Sequence, residues 1–438
     1  VMTLAVLGFL MVISFMTLIM THRLSAITAL IIVPIVFGLL AGAGPQLGGM
    51  MVKGVTQLAP TALMLAFAVL YFGIMIDAGL FDPLVRWVLA MVGDDPARVT
   101  VGTALLAMVV SLDGDGATTA LVTISALLPV YRRLRLNPLI LALLLGLSNT
   151  IVNLVPWGGP TARAASALHL EPSAVFLPMI PAMVAGLAGT MALAWWLGVG
   201  ERRRLGRLSL EPLAPAAADA PLIDTGETEA KRPKLIWFNL ALTLALVGGL
   251  VTGAAPLPAL MMGAFAIAVI VNYPDIGVQR TRIAAHAKNV LGVVLLIFAA
   301  GAFTGILSGT GMVKAMADAT LTAIPPQLSP YLAPISALLS MPMTFFMSND
   351  AFYFGVLPVI AETAAKFGVP AEAIARASII GQPVHGLSPL IAAIYLVTGL
   401  LKVEVGAAQR FSLKWAIAAS LLLLIAGLVT GAFPLKAA

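Results

Sequence analysis

The 438-residue sequence contains no cysteine. That removes disulfides, thiolate metal centres and cysteine nucleophiles, and leaves the redox compartment unreadable. Charge is almost as scarce: 10% of residues are Asp, Glu, Lys or Arg, against about 25% in an ordinary soluble domain. Such a chain cannot coat itself for water, which excludes an aqueous enzyme, a nucleic-acid binder and a disordered tail. No Gly-rich phosphate loop, zinc-ligand spacing or serine triad occurs, so ATP-driven chemistry and a tightly bound cofactor have no support.

Hydrophobic residues make up 60% of the chain, and the mean hydropathy is +1.03. The 40 Gly and 29 Pro are many for a helical protein but usual where membrane helices break at depth. The sequence reads as a polytopic membrane protein with the lipid bilayer as its first partner. Its net charge of +6 then reflects loops obeying the positive-inside rule rather than nucleic-acid binding. Val1 is odd as an initiator and makes Met2 the expected natural start. The run Met2 to Met20 has neither a basic front nor a small-residue cleavage site, so it reads as a span and not a cleavable signal.

A crossing helix needs about 20 apolar residues. Clean candidates are Met2 to Met20, Leu24 to Ala43, Thr61 to Ile76, Val175 to Gly198, Leu235 to Val251, Leu257 to Val271, Val290 to Leu307 and Leu413 to Gly431. Four further apolar stretches are interrupted, at Ser111–Thr119, Pro156–Arg163, Ser348–Asp350 and Gly381–Pro389. Landmarks recur at a nearly constant offset: Phe72 and Phe303 are 231 apart, Leu128 and Leu357 229, Pro156 and Pro383 227. This predicts two homologous halves, 1–200 and 235–438, joined by a charged linker over 201–234. With the stretches broken at Asp113/Asp115 and at Asn349/Asp350 taken as re-entrant hairpins, each half has five crossings plus one hairpin. An odd number of crossings inverts the halves. Placing the linker in the cytoplasm puts 19 of the 25 Lys and Arg inside and both termini outside. Inverted repeats with broken helices meeting at the midplane are the pattern of secondary transporters.

The chemistry concentrates in the breaks. Asp113 and Asp115, within Ser111-Leu-Asp-Gly-Asp-Gly-Ala-Thr118, each cost about 2.5–3.5 kcal/mol at membrane depth on insertion scales. They need a cation, a proton or a water-filled cavity; the plainer reading is a loop with an Asx-type turn. An EF-hand is excluded because the later ligands and the terminal Glu are missing. At the second break Pro156, Gly158, Gly159 and Pro160 prevent a continuous helix and free amides at the next half-helix start, a ready anion site. Arg163 follows one turn later. It matches a substrate carboxylate bidentately or pairs with Asp113 or Asp115 for structure alone. Thr161 belongs to the same motif, and Ser148, Asn149 and Asn153 just before it are amide or hydroxyl contacts or interhelical glue. The second half offers Ser348, Asn349 and Asp350, then Gln382, His385, Gly386 and Ser388. His385 is the one His of four expected at depth, as a packing residue or as a proton or substrate contact. Asp77 reads as a helix-end anchor.

The runs SLDGDGATT, PWGGPTARAA, FFMSNDAFYFG and GQPVHGLSPL, in this order, resemble the bacterial citrate–divalent-metal–proton symporters of the ion-transporter superfamily. The opening GFLMVISFMTLIMTHRLSAITALIIVPIVFGLLAG and the run YFGIMIDAGLFDP resemble them too. The likeness covers nearly everything but the linker. It implies an all-α inverted-repeat fold, a location in the bacterial inner membrane, and uptake of citrate complexed to magnesium or calcium with protons. It further implies a homodimer with an elevator-like transport domain carrying two hairpins. Matched motif by motif, it assigns substrate contact to Ser111, Thr118, Asn149, Asn153, Pro156, Gly158, Gly159, Thr161, Arg163, Ser348, Asn349, Gln382, His385, Gly386 and Ser388. Metal or proton coupling falls to Asp113, Asp115 and Asp350. Sodium-coupled relatives carry Ser-Asn-Thr tips; Asp-Gly-Asp-Gly and Ser-Asn-Asp stand here instead, which argues against sodium. Two alternatives are a metal-independent di- or tricarboxylate carrier and an intramembrane aspartyl hydrolase using Asp113 and Asp350.

Overall fold

The computed structural model describes residues 2–205, 228–321, 325 and 327–437; the middle of the expected linker lies outside them. The described residues form helices and turns without a strand. In the first part these are α1 (Met2–Met20), α2 (Ala26–Leu40), α3 (Leu47–Asp77), α4 (Asp82–Val92), α5 (Pro96–Val110), α6 (Gly116–Arg133), α7 (Pro138–Val152), α8 (Gly159–Ala167), α9 (Pro172–Phe176) and α10 (Ile180–Leu205). After the linker come α11 (Ile236–Thr252), α12 (Leu257–Asn272), α13 (Ile276–Gly309), α14 (Met312–Leu321), α15 (Leu332–Phe346), α16 (Leu357–Ala365), α17 (Ala371–Ser378), α18 (Gln382–His385), α19 (Ala392–Leu401) and α20 (Val405–Val429).

Side-chain caps fix several starts. Asp95, Asp115, Asn137 and Asp275 each accept backbone N–H groups of the helix that follows, meeting donors that a helix start leaves orphaned. Among the described residues six stretches are long and apolar enough to cross a bilayer: Gly44–Asp77, Pro96–Asp113, Pro172–Leu205, Pro233–Thr252, Ile276–Gly309 and Val405–Val429. Six shorter apolar helices stand beside them. Trp195, Trp196 and Trp237 are 59%, 57% and 79% exposed, amid an apolar shell that only lipid covers at low cost.

Two helices outrun their expected spans. The apolar runs Thr61–Ile76 and Val290–Leu307 are the later parts of α3 and α13, whose first turns carry Lys53, Gln57, Arg280, Arg282 and Lys288. These two helices make the largest interface of the structure. Their contact is glycine on glycine: a Cβ on Gly54 would run into the Gly301 carbonyl and lie 2.9 Å from Gly305 Cα. α2 packs on α13 and α12 packs on α3, flanking this crossing. α11 is clasped to α12 by the buried amides of Asn239 and Asn272, which donate to each other at 2.8 Å.

The ends of the expected linker are ordered. Glu201 to Leu205 continue α10. Beyond the undescribed stretch, Arg232 N–H donates to Ala78 O at 3.0 Å, Arg232 Nε to Asn272 O at 2.8 Å and Lys231 pairs with Asp82 at 2.6 Å. Arg202 holds Asp95 with two hydrogen bonds, 2.9 and 2.6 Å.

The glycine crossing yields a stability test. Gly54→Ala is expected to cost about 1–3 kcal/mol through overpacking against backbone. Gly48→Ala on the same helix, with nothing within 4 Å of its Cβ, should gain about 0.5–1 kcal/mol from helix propensity. Melting temperatures of the two purified variants check the opposite signs.

Candidate functional site

Each of the four breaks exposes backbone groups, and side chains from a neighbouring break satisfy several of them. Between α5 and α6, Gly114 takes φ +81°, a left-handed conformation that glycine adopts without strain. Asp113 Oδ1 accepts the Asp115 N–H at 2.9 Å. Asp115 caps α6, accepting Ala117 N–H at 3.0 Å, Thr118 N–H at 3.2 Å and the Thr118 hydroxyl at 2.7 Å. The second break reaches across: Trp157 Nε1 donates to Leu112 O at 2.8 Å. Within it Asn153 Oδ1 accepts Gly159 N–H at 3.3 Å, and a Cβ on Gly158 would strike the Asn153 carbonyl.

The breaks after α15 and around α18 use a similar device with other residues. After α15 the Ser348 hydroxyl accepts Ala351 N–H at 3.2 Å, and the chain then makes a π-helical turn, Ala351–Val356. Such turns are rare and concentrate at functional sites. From the last break His385 Nδ1–H donates to Thr344 O at 2.6 Å and Ser388 Oγ to Phe345 O at 2.7 Å. In the neutral ring His385 Nε2 is then an acceptor. Gln382 and Asn349 exchange amide bonds, 3.1 and 3.4 Å, while Gln382 Nε2 also donates to Tyr353 OH at 3.0 Å.

One ion pair joins the two systems. Arg163 Nε donates to Asp350 Oδ1 at 2.7 Å, linking residues 187 apart in sequence, and Arg163 Nη1 donates to Gly159 O at 3.2 Å. Two cavities meet at this arginine. The larger, about 1080 Å³, is lined on one side by Asp113, Asp115, Thr118, Asn153, Gly159 and Arg163. Its other wall is α3 and α13, with Asp77, His286, Lys288 and Asn289. The smaller, about 230 Å³, is lined by Asn149, Asn349, Gln382, His385 and Gly386 and shares Asn153, Gly159 and Arg163.

Several residues expected to touch substrate are placed otherwise. Ser111, Thr161 and Ser388 are fully buried and donate their hydroxyls to the carbonyls of Ala107, Leu154 and Phe345. Pro156 and Gly158 are buried in the turn, and Ser348 caps the π turn; none of these six lines either cavity. Arg163 bonds Asp350, not Asp113 or Asp115. Asp350, held by Arg163, lines neither cavity, and Asp113 lines the larger one. Asp77 is more than a helix-end anchor: its Oδ2 lies 3.0 Å from His286 Nε2 and 3.7 Å from Arg282 Nη1, at the cavity wall. His286, expected at a loop edge, sits inside α13. The missed signal was the spacing 282, 286, 289, 293, which puts polar and apolar residues on one helical face.

The Arg163–Asp350 pair is half-buried, 24% and 17% exposed, so breaking it costs less than the 3–5 kcal/mol typical of fully buried pairs. Arg163→Gln and Asp350→Asn should each lower stability, and the double variant by less than their sum. A thermal double-mutant cycle is expected to return a coupling of about 1–3 kcal/mol; additive losses would show that the pair carries no structural linkage.

A family profile described as "Citrate transporter" matches residues 1–381. A Bacillus subtilis (strain 168) protein named "Citrate transporter" is 54% identical over 428 residues, 98% of this chain and 99% of that protein. Another from the same organism, named "Mg(2+)/citrate complex secondary transporter", is 52% identical over 434 residues, 99% of this chain and 100% of that protein. Among solved structures, the Alcanivorax borkumensis YdaH transporter aligns with TM-score 0.59 at 16% identity over 90% of each chain. Neisseria gonorrhoeae MtrF, described as an antimetabolite efflux pump, aligns with TM-score 0.58 at 17% identity, over 89% of this chain and 84% of that one. At that identity the likeness concerns the fold alone. With relatives more than half identical along nearly their whole length, the chain is a membrane transporter and belongs to the citrate transporter family.

Proposed function

We propose that the chain imports citrate as a one-to-one complex with a divalent metal, magnesium or calcium, together with protons. It works as a homodimer in the bacterial inner membrane, with the linker cytoplasmic, both termini outside, and two inverted halves moving the site by an elevator-like step. The observation that carries the reading is Arg163, held by Asp350 and lining the larger cavity on the same side as the acidic Asp113/Asp115 tip. Free citrate is a trianion and would be repelled by these carboxylates. Its complex with a divalent metal carries a single net negative charge and presents both carboxylates and a cation. Arg163 and the amides at the start of α8 suit the carboxylates; the Asp113/Asp115 tip suits the metal side. In this reading the metal travels as part of the substrate. A Bacillus subtilis relative, 52% identical, is named for a Mg(2+)/citrate complex, which supports the same substrate here.

Proton coupling follows from the ion pair. A citrate carboxylate arriving at Arg163 competes with Asp350 for the guanidinium. A carboxylate stripped of its counter-ion at membrane depth is neutralised most cheaply by a proton. Substrate and proton are thereby bound together and released together. Asp115 is committed to capping α6 with both carboxylate oxygens, whereas Asp113 caps no helix and lines the cavity, which leaves Asp113 as the second proton or metal contact.

Uptake of labelled citrate into proteoliposomes tests this. With Mg²⁺ or Ca²⁺ and an outside-acid gradient, uptake should exceed that in EDTA at least tenfold. Asp350→Asn should transport without acceleration by the gradient. Undiminished uptake in EDTA would move the protein to the metal-independent di- and tricarboxylate carriers. Full acceleration of Asp350→Asn would overturn the coupling role of the ion pair.

A further inference from the structure

The charged groups around the larger cavity are mostly engaged. Arg163 is bonded to Asp350, Asp77 to His286 with Arg282 alongside, and Asp115 to the start of α6. Lys288, on α13, is the exception. It is exposed and lines the cavity, and no carboxylate among the described residues forms an ion pair with it. One turn further on stands Gly292, whose Cβ direction is open space within 4 Å, so nothing crowds the lysine from that side. Asn289 lines the same wall and adds amide donor and acceptor capacity. His286 is wedged over Gly73, where a Cβ would meet its ring at 2.7 Å, and engages Asp77 at 3.0 Å. The wall opposite carries Asp113 and Asp115, repulsive to an anion. The hairpin tip is thus acidic, while α13 presents a cation and an amide at Lys288 and Asn289.

We propose that Lys288, with Asn289, forms a second, transient station for the metal–citrate anion on the α13 wall, distinct from the Arg163 contact. An anion leaving Arg163 towards the Asp77 end of the cavity meets one uncompensated cation there before reaching bulk water. Lys288 belongs to the wall at the Asp77 end of α3 and not to the smaller cavity, so the station serves only the face onto which the larger cavity opens. Lysine suits a passing ligand better than arginine would: it is a flexible point charge that offers no bidentate fork. The proposal rests on metal–citrate being the substrate.

The test is the half-saturating concentration of Mg–citrate, measured separately from each face in proteoliposomes of known orientation. Lys288→Gln should raise it about three- to tenfold from the face onto which the larger cavity opens and leave the other within twofold. It should also flatten the salt dependence at that face, since screening acts on exposed charges. Lys288→Arg should restore most of the affinity. Lys53→Gln, which removes a charge from an exposed position of α3 outside both cavities, should change neither face. An unchanged Lys288→Gln, an equal loss at both faces, or the same effect from Lys53→Gln would overturn the station while leaving the substrate assignment intact. Failure of the unaltered protein to carry Mg–citrate would instead overturn the assignment, and the station with it.

Discussion

Hydrocarbon gives a broken helix nothing to bond with. Every interruption leaves N–H and C=O groups unmatched, each costing several kcal/mol in lipid, so breaks at depth persist only if something supplies partners. In this chain the breaks supply one another. Trp157 serves the Leu112 carbonyl; His385 and Ser388 serve Thr344 and Phe345; Gln409 of α20 reaches the Leu387 carbonyl at 2.9 Å. The motifs therefore carry two kinds of polar residue: those that stitch the breaks closed, and those left over to face a cavity. Function belongs to the second kind, and the first kind holds it in position.

Arg163 and Asp350 stand between these classes. An arginine with no partner at this depth would be expensive, and a buried pair is often no more stabilising than a hydrophobic replacement. Its value is specificity: only an anion such as a carboxylate can take Asp350's place on the guanidinium without leaving the charge bare. Stability and recognition thus draw on the same contact. The arginine also forms part of both cavities, so a ligand held by it is within reach of either.

Much of this was legible in the sequence. The span Met2–Met20 coincides with α1, and all four breaks fall where Gly, Pro and polar residues cluster, because no other composition interrupts an apolar run. The extended starts of α3 and α13 were not legible. Hydropathy marks only the continuously apolar part of a helix, whereas Gly48 to Gln57 is rich in glycine and broken by Lys53, Thr56 and Gln57, and Arg280 to Asn289 is polar; both are held by a neighbour. Asp77 and His286 were passed over for the same reason, since their pairing joins residues 209 apart. Ser111, Thr161 and Ser388 present the opposite case, motif hydroxyls that the fold turns to backbone carbonyls. A hydroxyl in a motif looks like a ligand contact, but it also meets a backbone carbonyl: Ala107 one turn back for Ser111, Leu154 for Thr161 and Phe345 of the preceding break for Ser388.

The crossing of α3 and α13 bears on how such a sequence can change over time. Where Gly54 meets Gly301 and Gly305 there is no side chain to trim or enlarge in compensation. A larger residue on either helix can be absorbed only by moving a backbone, and that displaces the wall carrying Asp77 and Lys288. Mutational drift at these positions in one half is therefore tied to the other half. The two parts of the chain can diverge freely in their loops and lipid-facing surfaces, but at this seam they must be inherited as a matched set.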